Sequence, residues 1–314
     1  MDEPNARSLH KVAIPRTGGL AILIALAVSG LLGYAFNPLT ISTHWTWLLL
    51  ALLPVTIISL IDDRGGVKPG YRLVAHLLSA ILLVMGGLSW SRLEFPDLLI
   101  ELGAIFSTLL TIFLVVWLIN LFNFMDGMDG LAGGMAFFGS GSLAILGWQG
   151  GHLLYFLVCL CISVASAGFL TANLPPARIF LGDLGSTCLG LLSAALSLLG
   201  SNEGLFPLWV AGLAFSPFLF DATVTLLRRA LMGKRLWEAH RSHYYQRLVL
   251  AGWSQHRVMR GAWLLMAACG ISAIATPNLA SREQWMLIAF WACIYIIIAY
   301  RVQLEERRTT QDQP

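Results

Sequence analysis

Residues 98–131 read LLIELGAIFSTLLTIFLVVWLINLFNFMDGMDGL. No charged residue stands between Glu101 and Asp126, and a helix needs roughly 20 apolar residues to cross about 30 Å of hydrocarbon. The stretch is long enough to span a bilayer, and it ends on a polar cluster. The same pattern recurs along the chain. It predicts ten spans, near 19–36, 46–61, 71–90, 98–120, 130–148, 152–172, 184–200, 205–227, 261–278 and 285–301. The expected fold is an all-α, polytopic transmembrane helix bundle forming a single integral-membrane domain over residues 1–314.

Composition agrees. Of 314 residues, 57% are apolar and only 12% charged, with a mean hydropathy of +0.73. Soluble domains average about 45–50% apolar and about 25% charged, so disorder, coiled coil and collagen are excluded and the composition argues strongly against a soluble globule. The net charge of +3 is too mild for nucleic acid, and the basic residues lie between apolar runs rather than in one stripe. Cys159, Cys161, Cys188, Cys269 and Cys293 all fall inside apolar runs without a CxxC, so neither a disulfide framework nor a zinc site is expected. The first sixteen residues are polar and no small-residue cleavage site follows the first apolar run, so no removable signal is expected. The fifth to eighth spans are rich in Gly, Ala and Ser, which suits close helix packing in lipid. No tandem repeat or low-complexity tract is visible.

With the N-terminus inside, the outer loops hold only Arg92 and Arg282, and the other eighteen Lys and Arg fall on the inner side. That is a strong positive-inside bias, and it places both termini in the cytoplasm. The same assignment puts the loops 62–70, 121–129, 173–183 and 228–260, with every polar cluster of interest, on the cytoplasmic face. One composite cytoplasmic cleft is the economical inference.

Each cluster has a plainer reading. Asp62-Asp63-Arg64-Gly65-Gly66 is good turn chemistry; yet adjacent carboxylates at a helix C-terminus oppose the macrodipole and raise one another's proton affinity, which suits general-base or metal chemistry. In Asn120–Asp129 the side chains of Asn120, Asn123, Asp126 and Asp129 recur every third residue. On a helix each is displaced by about 60° from the last and all share one broad face. Capping explains one or two of these residues, not four in register. Asp183 opens a span, where an N-cap is ordinary, but Phe180 beside it offers a flat face and a helix start suits phosphate. Asn173 and Arg178 complete that loop. His240-Arg241-Ser242-His243 reads either as an interfacial segment on anionic lipid, as Trp237 and Tyr244 favour, or as a phosphate-binding loop. Pro15–Gly19 reads as an interface turn, and Arg72 and His76 as snorkelling residues. Glu101 and Asp221 lie within spans and are functional candidates as intramembrane acids, although Glu101 is close to the outer edge and Asp221 to the inner one, and snorkelling weakens the case.

Carboxylates and an asparagine without thiolates suit a hard cation such as Mg²⁺, with Mn²⁺ as an alternative. Arginines, histidines and a helix start suit phosphates. Together at a membrane surface they suit phosphoryl transfer between a soluble nucleotide and a lipid phosphate. A transporter is the rival, but transport sites lie near mid-membrane, whereas these acids gather at one surface.

The motifs carry a family resemblance. Asp62-Asp63, Asn120–Leu131 and Gly182–Ser186, with Asn5-Ala6-Arg7-Ser8, Pro15–Gly19 and the loop around His243, resemble the polyprenyl-phosphate N-acetylhexosamine-1-phosphate transferases over nearly the whole chain. The resemblance implies transfer of a sugar-1-phosphate from a UDP-N-acetylhexosamine to undecaprenyl phosphate, with Mg²⁺ required and UMP released, in the bacterial inner membrane. It implies that Asp62 and Asp63 deprotonate or position the lipid phosphate, that Asp126 belongs to the catalytic set, and that Asn123 and Asp183 bind Mg²⁺ and the diphosphate. Phe180 would stack on uracil beside Asp129; Asn120 and Asn173 would join the nucleotide-sugar site; Arg72 would meet the carrier phosphate; His240, Arg241 and His243 would contact the diphosphate. The family admits a homodimer. Its members begin with a helix ahead of Asn5–Gly19, which implies that this start is misassigned or truncated. The loop His-Arg-Ser-His-Tyr-Tyr-Gln-Arg-Leu lacks the histidine cluster of the muramoyl-pentapeptide enzymes. It is similar instead to enzymes that initiate O-antigen synthesis, some using UDP-N-acetylfucosamine or a related 6-deoxy sugar, with a UDP-N-acetylglucosamine-specific member as the alternative.

Overall fold

A computed structural model describes residues 14–36, 42–235 and 240–311. Asn5, Arg7, Ser8, Lys11 and Trp237 lie outside the described residues. In chain order the elements are α1 (Gly18–Phe36), α2 (Thr43–Gly65), α3 (Pro69–Met85), a hairpin of β1 (Arg92–Phe95) and β2 (Leu98–Glu101), α4 (Ala104–Met125), α5 (Leu131–Gln149), α6 (Leu153–Asn173), α7 (Gly182–Asn202), α8 (Leu208–Ala214), α9 (Ser216–Leu231), α10 (Tyr244–Leu250), α11 (Gln255–Ala275) and α12 (Ser281–Gln311).

Nine of the ten expected spans coincide wholly or mainly with one helix each, and the tenth, 205–227, with two. Seven of these helices are long and apolar enough to span a bilayer, α8 and α9 together make an eighth candidate, and α1 and α3 are shorter apolar helices. The bundle is organised around α7, whose apolar window is wholly buried and which packs against α1, α2, α4 and α5. Its small residues make this possible. A Cβ on Gly19 of α1 would collide with the backbone of Gly185 in α7, so the two helices cross backbone to backbone. Association in lipid relies on such close packing because lipid tails are as apolar as side chains. The segment before α1 is stitched to the start of α7 as well: Phe180 N–H donates to Pro15 O at 2.8 Å, and the N–H groups of Gly18 and Gly19 donate to Phe180 O at 2.9 Å and Leu181 O at 2.8 Å. Pro15–Gly19 is therefore a packed junction and not a loose interface turn.

Two expected spans are revised. Residues 98–101 form β2, paired antiparallel with β1 in the register Arg92 to Glu101 and Phe95 to Leu98. Pro96, and Asp97 at φ 60°, make the turn, and Trp285 Nε1 donates to Pro96 O at 3.0 Å. The helix of the opening stretch begins at Ala104 and runs on to Met125. The expected span 205–227 is broken: α8 and α9 meet at 84°, because Pro217 in the first turn of α9 has no N–H for the preceding helix and a fixed φ suited to starting a new one.

Candidate active site

Four helix ends meet at one end of the bundle. α2 closes on Asp62 and Asp63, α3 opens with Arg72 in its first turn, α4 closes on Asn123, and α7 opens on Asp183. The Arg72 guanidinium joins them. Its Nη1 lies 2.9 Å from Asp62 Oδ2, and its Nη2 donates to Asn123 Oδ1 at 2.9 Å and lies 3.9 Å from Asp183 Oδ1. Asn123 Nδ2 donates to Asp183 Oδ1 at 2.5 Å and to Ser186 Oγ at 3.1 Å. Arg72 is thus no snorkelling residue; it is the cation at the centre of an oxygen cluster.

The two adjacent acids have different surroundings. Asp63 Oδ1 accepts from Asp183 N–H and its Oδ2 from Leu184 N–H, both at 3.0 Å. A carboxylate from another helix therefore caps α7, where the unsatisfied N–H groups and the positive end of the dipole favour an anion. Asp62 Oδ1 accepts from Val67 N–H at 2.6 Å, and its Oδ2 faces Arg72. Asp183 is not an N-cap, since its side chain reaches out to Asn123, and the α7 N–H groups proposed for phosphate are already held by Asp63.

Asp126 follows the end of α4. Burial holds its carboxyl well above the usual carboxylate range; the charges of Asp183, Asp63 and Asp129 act in the same direction, and Arg16 opposes them. Asp129 Oδ2 accepts from Ala177 N–H at 2.9 Å, and Asn173 bridges Gly130 N–H (2.9 Å) and Ile179 O (2.8 Å). These residues tie loop 174–181, with half-buried Phe180, to the polar end of α4. Asn120 turns into the helix wall, its Nδ2 donating to Val116 O at 2.7 Å and meeting His76 Nδ1 at 3.3 Å.

The basic loop is docked on the same assembly. His243 is the N-cap residue of α10 and is buried, with Nδ1 3.0 Å from Asp221 Oδ1. Tyr245 Oη reaches Phe124 O at 3.5 Å and lies against Gly127, where any Cβ would strike the hydroxyl. His240 Nδ1 meets Ser242 Oγ at 2.9 Å. Burial, with His243 and Arg229 acting in the same sense, pulls the His240 ring down to about 4, so it is neutral at ordinary pH. Arg241 stands half-buried in the same loop.

Asp62, Asp63, Arg72, Asn123 and Asp183 are therefore in direct contact, with Asp126 beside them. Asp129 and Asn173 anchor the loop that carries Phe180, and His240, Arg241 and His243 lie in the loop that reaches α4 through Tyr245. Sequence reasoning undervalued three residues. Arg16 places its charge beside Asp63 and Asp126, Ser186 bonds Asn123, and Asp221 holds the basic loop. An acid within an apolar run was the available signal for Asp221; nothing in Pro15–Gly19 announced that it would dock on residues 180–181.

A polytopic bundle with carboxylates, amides and a guanidinium group gathered at one end presents side chains of the kind that suit phosphate chemistry at a membrane. Residues 45–201 match the description of glycosyl transferase family 4. A probable undecaprenyl-phosphate N-acetylglucosaminyl 1-phosphate transferase of Bacillus subtilis is 30% identical over 304 residues, covering 96% of this chain and 82% of the relative. A decaprenyl-phosphate N-acetylglucosaminephosphotransferase of Mycobacterium tuberculosis is 30% identical over 89% of this chain and 76% of its own length. A phospho-N-acetylmuramoyl-pentapeptide-transferase of Chlorobium luteolum is 29% identical over 88% of this chain and 84% of its own length. The chain belongs to glycosyl transferase family 4, and its activity is that of a glycosyl-1-phosphate transferase.

Proposed function

We propose that the protein transfers an N-acetylhexosamine-1-phosphate from a UDP-sugar to undecaprenyl phosphate, releasing UMP at the cytoplasmic face of the bacterial inner membrane and starting a lipid-linked cell-envelope polysaccharide such as O-antigen. The observation that carries this reading is the convergence of Asp62, Arg72, Asn123 and Asp183, from four helices, at one end of the bundle. Acceptor and donor both bring phosphate, and the site offers a guanidinium with hard oxygens around it.

The residues fit Mg²⁺. Among the described residues no three His, Cys, Asp or Glu side chains stand close enough to hold a metal ion by themselves. Mg²⁺ is typically held by only one or two carboxylates together with waters and substrate phosphates, and Asp183 and Asn123, with Asp62 beside them, offer such a set. When bound, Mg²⁺ would neutralise charge on the diphosphate and on departing UMP.

In the proposed reaction Asp62 and Arg72 orient the acceptor phosphate. An oxygen of that phosphate forms a bond to the β-phosphorus of the donor, the bond from that phosphorus to the bridging oxygen breaks, and UMP leaves with the bridging oxygen. Asp63 holds the start of α7 so that Asp183 faces Asn123. Phe180 and Asp129 take the uracil, and the 240–243 loop closes over the diphosphate.

N-acetylglucosamine appears in the names of the Bacillus and Mycobacterium relatives, while the loop around His243 motivates a 6-deoxy sugar. The deciding experiment supplies purified protein with undecaprenyl phosphate, Mg²⁺ and a panel of UDP-sugars, including UDP-N-acetylglucosamine and UDP-N-acetylfucosamine, and measures UMP. Acceptor-dependent UMP from at least one N-acetylhexosamine donor is expected. No UMP from any donor would reject the reading, and a phospho-enzyme trapped without acceptor would reject direct displacement.

A further inference from the structure

Asp221 lies on α9, 22 residues before His243, and is only 6% exposed. Three of the four donors to its carboxylate come from the start of α10, and the fourth, Thr225, is one turn on along α9. Oδ1 accepts from His243 Nδ1 at 3.0 Å, Tyr244 N–H at 2.9 Å and Thr225 Oγ1 at 3.2 Å, and Oδ2 accepts from Tyr245 N–H at 3.3 Å. Two of these donors are the first free N–H groups of a short helix, so capping accounts for them. Capping does not account for the third, the imidazole. Tyr245 is stacked on that ring at 5.9 Å between centroids and 16° between planes, and His240 stands 5.0 Å from it.

A carboxylate on Nδ1 decides which imidazole nitrogen carries the proton and which way the ring faces. With Nδ1 committed to Asp221, Nε2 is the nitrogen left for a ligand. The loop that carries it is seated on the catalytic segment through Tyr245 Oη and Phe124 O. We propose that Asp221 is a positioning residue for the transfer reaction, holding His243 through Nδ1 so that Nε2 meets the phosphates of the nucleotide-sugar donor. This inference rests on the function proposed above and adds an acid from a broken helix to its machinery.

The test is a double-mutant cycle on detergent-purified full-length protein, reading UMP release and melting temperature together. His243→Asn keeps a donor at the Nδ1 position and removes Nε2. It and Asp221→Ala are each expected to lower kcat/KM for the donor by about 10–100-fold, the usual effect of losing a partner that orients a histidine. The double variant is expected to be no slower than His243→Asn alone, although its melting temperature falls further because the α10 cap is lost. Asp221→Asn retains an acceptor for Nδ1–H and is expected to recover part of the activity. Losses that multiply in the double variant would overturn the proposal, since Asp221 would then act independently of His243. A second measurement needs no turnover and no alanine variant. In ¹⁵N-histidine spectra of the wild type, with His243 assigned through His243→Asn, the neutral ring is expected to carry its proton on Nδ1; a neutral ring protonated on Nε2 would overturn the proposal. Absence of UMP from the wild type with every donor would instead strike the proposed function and leave the spectra to decide the dyad.

Discussion

Asp62 and Asp63 are sequence neighbours with separable tasks. The oxygens of Asp63 are engaged by two backbone N–H groups of α7; those of Asp62 face Val67 N–H and Arg72. Asp63→Ala is therefore expected to lower stability by about 1–2 kcal/mol, the scale of a lost helix cap, and turnover with it. Asp62→Asn keeps the acceptor for Val67 and is expected to leave the melting temperature unchanged while turnover falls by about 10² or more. Equal losses of stability in the two variants would contradict this division. Asp126 supplies a pH test. Its proton affinity is raised in the fold, so the unfolded chain ionises first as pH rises. The stability attached to its neutral form is complete below the ordinary carboxylate range and is lost toward higher pH. Asp126→Asn removes that dependence. The melting temperature of the variant relative to wild type is expected to climb between pH 5 and pH 8, and a constant difference would argue against a raised carboxyl.

At the scale of elements, the α1–α7 crossing governs the site although neither helix touches it along most of its length. Gly19 lies against the backbone of Gly185, two residues beyond Asp183. Gly19→Val puts a branched side chain where backbone cannot yield, at a cost of about 1–3 kcal/mol, and pushes the start of α7 away from Asp63 and Asn123. Melting temperature and UMP release are expected to fall together, whereas a variant that melts like wild type would show that the helices can separate freely. At the far edge of the site, α12 holds α10 through Arg247, whose Nε and Nη2 both donate to the Glu306 carboxylate at 2.5 Å. Fork geometry of this kind orders a short helix that has too few turns to be stable alone.

For the whole molecule, the positive-inside bias predicts the side on which the site opens. In a cysteine-less background in intact cells, a cysteine at Asp97, in the turn of the hairpin, is expected to react with a membrane-impermeant maleimide. A cysteine at Lys68, between α2 and α3 and near Asp62, is expected to react only after permeabilisation. The reverse pattern would invert the assigned topology. Much of the architecture was legible in the chain because lipid imposes a one-dimensional rule: any uninterrupted apolar run of sufficient length must satisfy its own backbone, and a helix does so. The helical register from Asn120 to Asp129 holds only as far as Met125, where α4 ends, so Asp126 and Asp129 stand beyond the helix. The rule itself located the apolar runs that form α1–α9, α11 and α12, seven of these helices being long enough to span a bilayer singly. It failed at residues 98–101, where apolar side chains pair as a hairpin around Pro96-Asp97, and at Phe215, where a single proline turns one run into two helices.

Sequence alone determined that this is a membrane helix bundle and which side chains are expensive enough in lipid to need a reason, since hydropathy and charge are sums over residues. Partners were decided by the tertiary structure alone. That Asp63 caps α7 while Asp62 meets Arg72, that Asp183 turns to Asn123, that Pro15–Gly19 closes on residues 180–185, and that Asp221 reaches His243 all depend on contacts between residues 10 to 166 positions apart in the chain. Such contacts are set by helix crossings a few ångströms wide, and no local pattern of residue types encodes them.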